Sequence, residues 1–233
     1  MGTESVVLHS ASVTRAEAGE PDRRDAILDA AMKEFAEQGF AGARTKAIAR
    51  KADVNIALMY YHYQSKEKLY AAVLERVFVE WARRLSQALQ DHATATEKLV
   101  AYVEAYFDFV AEAPERPRLV QQEMMQLGCS EMERLNRLAK THVRPTYRAL
   151  LDVLRQGHRS GEFREVSPDF AHSIGAIIVT YFTSSTFVEA VTGHNPLTPH
   201  RIAQRRKSVL DTILASVLDR GAGRIRTRKE KHA

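Results

Sequence analysis

The 233-residue sequence holds one cysteine, Cys129, which excludes an internal disulfide and any zinc site built on cysteine pairs. Glycine and proline are sparse, at 11 and 7 residues, and alanine outnumbers the two together. Ala is the best helix former and Gly and Pro are the worst, so this balance predicts a mostly helical chain. Long apolar runs are also missing. The longest, Ile174 to Phe182, supplies about half of the roughly 20 residues that a bilayer span requires. Near the start only Val6-Val7-Leu8 is apolar, with no Lys or Arg ahead of it. No secretory signal and no membrane partner are therefore expected, and the cytoplasm is the expected compartment. Alternating strand patterns, internal repeats and low-complexity blocks do not occur, which leaves an all-α fold.

The net charge is +5, and its distribution says more than its sum. Arg44, Lys46, Arg50, Lys51, Lys66 and Lys68 face only Asp53 and Glu67 in one short stretch. Arg224, Arg226, Arg228, Lys229 and Lys231 face only Glu230 in the last 13 residues. The remaining chain is slightly acidic, so a polyanion is the natural partner of the two basic patches. The terminal run has no apolar or aromatic residue among its charges apart from Ile225, and a solvated tail fits it better than a second DNA-contacting arm.

Residues 1–20 lack a periodic apolar pattern and are expected to form a mobile leader. Ile27, Leu28, Ala31, Met32, Phe35 and Ala36 recur at helical spacing until Gly39, which suits a helix end. Thr45 is expected to cap a second helix that turns Ile48 and Ala49 inward, Asn55 a third, and Ser65 a long fourth helix running to about Gln90. Capping boxes are expected at Thr94 with Glu97 and at Ser130 with Glu133. Ser167-Pro168 and Thr198-Pro199 place proline at the first position of two late helices, expected over residues 167–191 and 198–220. Pro145 should kink or divide the segment from Ser130 to Ser160, which Ser160-Gly161 closes. About nine helices follow. The expected organisation is a leader over 1–20, a first helical domain over 21–66, a larger helical domain over 67–220, and a basic tail over 221–233.

Two short helices joined by a tight turn and packed on a third make a helix-turn-helix, and its second helix can enter the major groove. Val54, Met59 and Tyr63 fall on one side and would lock the third helix onto Ile27, Phe35 and Ile48. The other side would then show Ile56, Ala57, Leu58, Tyr60, Tyr61 and His62 to solvent. Such an apolar and aromatic surface has a use on DNA, where methyl groups meet thymine methyls and Tyr or His donate to phosphates.

The stretch Ala52-Asp53-Val54-Asn55-Ile56-Ala57-Leu58-Met59-Tyr60-Tyr61-His62-Tyr63-Gln64-Ser65-Lys66-Glu67-Lys68-Leu69 resembles the hallmark of the TetR family of bacterial transcriptional regulators. Ala30-Ala31, Phe35, Gly39-Phe40, Thr45 and Ile48-Ala49 resemble its first two helices, and Gly161-Glu162-Phe163-Arg164 is a further likeness. Two departures stand out. Asp53 replaces a turn glycine, tolerable where the backbone is not strongly left-handed, and Ala57 replaces a frequent glycine. The resemblance implies phosphate contacts by Thr45, Lys46, Tyr60, His62 and Lys66, base contacts by Ile56, Ala57, Leu58 and Tyr61, and a place for the capping Asn55 at the same surface.

It also implies a ligand-sensing helical half, for which Tyr102, Tyr106, Phe109, Glu123, Met125, Tyr147 and Tyr181 are the candidates, although most such residues are ordinary core. Glu104 or Glu123, if turned to the pocket, would favour a cationic ligand. A homodimer interface is implied on the last two helices, with Ile174, Ile178, Phe182, Val209, Ile213 and Val217 as its residues, and a two-fold dimer suits palindromic DNA. Polar substitution at Ile178 or Ile213 is expected to dissociate it.

The chemistry of an enzyme is missing. No nucleophile with a base, paired carboxylates or phosphate loop can be placed, so no catalytic residue is assigned. The histidines His142, His158, His172, His194 and His200 make no metal-ligand spacing with a carboxylate, and no metal or cofactor is expected. Cys129 ahead of a helix start is a weak redox candidate. The expected function is a ligand-responsive repressor released from a palindromic operator by a small apolar or amphipathic effector, with the signal carried along the long fourth helix. An all-helical enzyme and an architectural DNA-binding dimer are the alternatives.

Overall fold

A computed structural model describes residues 20–90, 92–125 and 129–218. The basic tail, all of the leader except residue 20, and the end of the last expected helix lie outside the described residues. The described chain forms two compact units, one through Leu74 and one from Glu75.

In the first unit α1 spans Glu20–Gly42 and is broken at Gly39, whose φ of 68° is accessible to glycine at little cost. Next come α2 over Thr45–Lys51, α3 over Ile56–Tyr63 and the start of α4, which spans Lys66–Ala88. Ile27, Ala31, Phe35, Ile48, Met59, Leu69, Tyr70 and Val73 are buried and form one core. Within it Tyr70 meets Phe35 edge-on at 4.9 Å and Phe40 at 5.1 Å. Thr45 is not the cap of α2. Arg44 holds that place in extended backbone, and its carbonyl already accepts from Ala47 and Ile48, which makes Thr45 the first helical residue. Asn55 does cap α3, its Oδ1 accepting from the Ala57 N–H at 2.8 Å. Ser65 Oγ likewise accepts from the Lys68 N–H at the start of α4.

The second unit contains the rest of α4, then α5 over Ala95–Glu112, α6 over Glu115–Met125 and α7 over Cys129–Leu138. A π-helical turn at Ala139–Val143 leads into α8 over Arg144–Ser160. The unit closes with α9 over Asp169–Thr183, α10 over Ser185–Thr192 and α11 over Pro199–Val217. The capping box at Thr94 and Glu97 is complete. For the box expected at Ser130 with Glu133, the helix already includes Cys129, so Ser130 is a helical residue, and its side chain lies outside the described ones. Pro145 lies in the first turn of α8, and the π turn before it spares the proline ring a clash with the preceding turn of an unbroken helix.

The single helix expected over 167–191 is two, bent by 67°. The run Thr183-Ser184-Ser185-Thr186 explains the break. The Ser184 hydroxyl bonds back to the Thr180 carbonyl and that of Thr183 to Val179, competing with the backbone ladder. Pro168, expected inside this helix, stands at its N-cap. The helix expected from Thr198 begins as read, with Thr198 at the N-cap position in extended backbone, its hydroxyl making no capping bond, and Pro199 first. No single helix among the described residues is long and apolar enough to cross a membrane.

α5 is central to this unit, packing on α8, α9 and α11. Arg206 of α11 clamps it, with two bonds of 2.9 Å to the Asp108 carboxylate and one of 2.9 Å to Glu104. The segment 161–164 is a staple. Gly161 ends α8 in the left-handed region at φ 77°, and Glu162 accepts from the Ala95 and Thr96 N–H groups at the start of α5. Phe163 packs face to backbone on Gly157, and Arg164 donates to the Val217 and Ser216 carbonyls. The family-like segment thus ties three helix ends together.

Candidate nucleic-acid interface

α3 is anchored through Met59 and Tyr63, both buried, the Tyr63 hydroxyl donating to the Arg24 carbonyl at 3.3 Å. Its outer side presents Ala57, Tyr60 and Tyr61, the last 74% exposed. Ile56, Leu58 and His62, expected fully outside, are half-buried, as is Val54. His62 Nε2 is shielded and has no hydrogen-bond partner among the described residues, while its ring stands edge-on to Tyr61 and Tyr63. The phosphate role drawn for it from the resemblance would therefore fall to Nδ1.

The Tyr60 hydroxyl donates to Thr45 Oγ1 at 3.2 Å, which joins the two short helices and leaves the Thr45 hydroxyl proton free to donate outward. Lys46 is exposed beside it. Lys66 sits over the Phe40 ring at 4.9 Å and donates to the Ala41 carbonyl at 3.3 Å, so it must swing out to meet a phosphate. Lys51, counted among the basic residues, is a structural cation bound to Glu34 at 2.8 Å and to Glu37 at 3.2 Å. The Lys51 ammonium in turn holds the Glu34 carboxyl below the usual range, helped by the Arg44 N–H. Arg44 and Arg50 are exposed cations that no role had been given. Their only sequence signal was the charge count.

In the second unit the seven ligand candidates do not gather in one place. Tyr102 and Tyr106 do meet, ring centroids 6.3 Å apart, and Trp81 of α4 stands edge-on to Tyr106 at 5.7 Å. Burial pushes the Tyr106 hydroxyl pKa up to about 12 and that of Tyr102 up as well. Trp81 was missed, though it is the only tryptophan in the chain. Phe109 is buried under the Arg116 guanidinium at 4.5 Å. Glu123 is fully buried on Arg134, which donates to its Oε1 at 2.8 Å, so it is charge-compensated. Glu104 is occupied by Arg206. Met125 is 75% exposed. The hydroxyls of Tyr147 and Tyr181 are bonded to the carbonyls of Pro168 and Pro196.

The six residues expected at a dimer interface, Ile174, Ile178, Phe182, Val209, Ile213 and Val217, are each at most 3% exposed. They are core of the single chain, because α9 and α11 turn their apolar stripes onto α5 and each other. The thiol of Cys129 lies outside the described side chains. Among the described residues no group of three His, Cys, Asp or Glu side chains is arranged to hold a metal ion.

A short uncapped helix crossed by an anchored helix with an aromatic outer side, in a chain with a separate helical unit, defines a helix-turn-helix DNA-binding protein. Residues 27–73 match bacterial regulatory proteins of the tetR family, and residues 96–213 match the tetracyclin repressor-like C-terminal domain. The chain belongs to the TetR family of transcriptional regulators. It is 31% identical over 156 residues to the HTH-type transcriptional repressor NicS of Pseudomonas putida, covering 65% of this chain and 71% of that protein. To the repressor KstR2 of Mycolicibacterium smegmatis it is 26% identical over 196 residues, 84% of this chain and 90% of that one. The crystal structure of Bacillus subtilis FadR in complex with stearoyl-CoA shares the fold, with a TM-score of 0.63 at 22% identity over 82% of this chain and 97% of that one.

Proposed function

We propose that the chain is a cytoplasmic homodimeric repressor that leaves a palindromic operator when a small apolar or amphipathic effector binds its second unit. The observation that carries the DNA reading is the two-sided α3, with Met59 and Tyr63 buried and Ala57 and Tyr61 left outside. In this reading Ile56, Ala57, Leu58 and Tyr61 meet base edges, Asn55 stands at the same surface, and Thr45, Lys46, Tyr60, His62 and Lys66 hold phosphates. NicS and KstR2 are named as repressors, which supports repression here. The stearoyl chain in the FadR complex supports an effector with an apolar body, and the Trp81, Tyr106 and Tyr102 rings supply an aromatic wall for one. α4, 23 residues and about 34 Å long, belongs to both units and is the proposed carrier of the signal.

The test is selection of bound fragments from genomic DNA followed by titration against salt. With Lys46 and Lys66 of two protomers on phosphates, affinity should fall about a hundredfold for a fourfold rise in salt. Tyr61→Ala should weaken binding to the selected fragment more than to random DNA. Affinity that ignores salt, or a Tyr61→Ala variant indistinguishable from wild type, would overturn the assignment.

A further inference from the structure

A cleft of about 420 Å³ opens between the second half of α8 and the segment 165–168, a volume within the range that holds small ligands. Leu151, Leu154, Val166 and Pro168 supply apolar surface, and Arg155, His158 and Arg159 line it from the helix. None of the seven ligand candidates lines it. Its far wall is fixed rather than loose. The Tyr147 hydroxyl holds the Pro168 carbonyl at 3.1 Å, and the Arg164 N–H holds the Val217 carbonyl at 2.8 Å.

The charges around this cleft are uneven. Arg155 is shared with Asp152 at 2.6 Å, but Arg159 has no carboxylate partner among the described residues. Both belong to a ridge. On α8 Arg144, Arg148, Arg155 and Arg159 follow one another at intervals of four or seven residues and are all exposed, with Asp152 the acid at the same spacing. A row of cations along one helix face raises the potential at its end, and the cleft lies at that end. Glu165 on the opposite wall is the counterweight, so an anionic head would be held on the Arg159 side while an apolar body lies on Leu151 and Val166.

We propose that this cleft is a binding site for a monoanionic amphiphile, a carboxylate with an aliphatic or aromatic body, separate from the effector region around Tyr106. Arg159 supplies the charge-assisted bonds, and the leucines and Val166 select the apolar body. Affinity for the operator is not part of this site.

The probe is decanoate, titrated calorimetrically into the full chain, with decanol and decylamine as controls. Decanoate should bind saturably and the controls at least about tenfold more weakly. Arg159→Gln should weaken decanoate about fivefold, whereas Glu165→Gln, which removes the opposing charge, should tighten it by about twofold. Both side chains are exposed, so both variants keep the fold. Operator affinity without ligand should be the same in both. Opposite shifts in the two variants establish the site. Decanoate that fails to bind, binds no better than decanol, or binds both variants as it binds wild type overturns it, the last result placing the ligand in another pocket.

Discussion

Gln64 occupies the narrowest bend between α3 and α4. Its φ of 61° and ψ of −41° let the Ser65 N–H reach the Tyr63 carbonyl at 2.6 Å, a γ-turn that strains any residue with a Cβ. Asp53, in the turn between α2 and α3, has φ 53° and is truly left-handed, which overturns the condition under which its replacement of glycine was read as harmless. A short polar side chain tolerates that region better than Gln tolerates a γ-turn. Gln64→Gly should therefore stabilise the chain by about 1 kcal/mol and Asp53→Gly by less, measured by urea unfolding. The reverse order would show that the Lys68 bond to Gln64 outweighs the backbone strain.

A second prediction at this scale concerns Glu80. The Arg83 guanidinium, with Arg84 beside it, pulls its carboxyl from the usual 4.5 to about 2. A carboxyl lowered by folding adds stability above its unfolded value and loses it as the pH falls through the folded one. Glu80→Gln should thus be less stable than wild type near neutral pH, with the gap closing as the pH drops from 4.5 toward about 2. A gap of constant size over that interval would assign the loss to packing instead of charge.

Among the elements, most of those with a local chemical signal were legible, the cap read at Thr45 being one residue late, and those set by competition were not. Thr94 with Glu97, Asn55, Thr198-Pro199 and Ser160-Gly161 each carry the groups that end a helix, and each ends one. The break at Ser184 has no proline or glycine to announce it. It depends on hydroxyls bonding back to carbonyls, which the same residues do in unbroken helices. The exposed half of α3 was legible from the spacing of Met59 and Tyr63, but the half-burial of His62 depends on neighbours its spacing does not reveal. The 161–164 staple gives a sharp test. A Cβ on Gly157 would lie 2.1 Å from the Phe163 ring, so Gly157→Ala should cost about 2 kcal/mol or more. A Cβ on Gly175 would meet only the tip of Tyr106 at 3.4 Å, and Gly175→Ala should be close to neutral because it gains helix propensity. Thermal unfolding of the pair reads this contrast directly, and equal midpoints would mean that Phe163 is not held on α8.

At the scale of the whole molecule, an apolar stripe does not say whether it will be covered by its own chain or by a second copy. That ambiguity is why Ile178 and Ile213 read as interface and stand as core, 0% and 3% exposed. Ile178→Asp would put an unpaired charge into that core and unfold the chain, at a cost above about 4 kcal/mol, so it cannot report on dimerisation. The sides of these helices that remain outside carry Ser173, Ala176 and Thr180 on α9 and Ser208, Thr212 and Ala215 on α11. α10 adds Phe187 and Val191, 72% and 69% exposed, large apolar groups that a lone soluble chain has little reason to show together. The proposed dimer would cover this surface. Thr180→Arg combined with Phe187→Asp should then dissociate it while leaving the thermal midpoint of the single chain almost unchanged. Operator affinity should fall at least about a hundredfold, because two linked half-sites bind far more tightly than either alone. Sedimentation and DNA titration of the same samples check both. A double variant that stays dimeric and keeps its affinity places the two-fold contact on another surface, whereas a monomeric wild type with full affinity removes the dimer from the mechanism altogether.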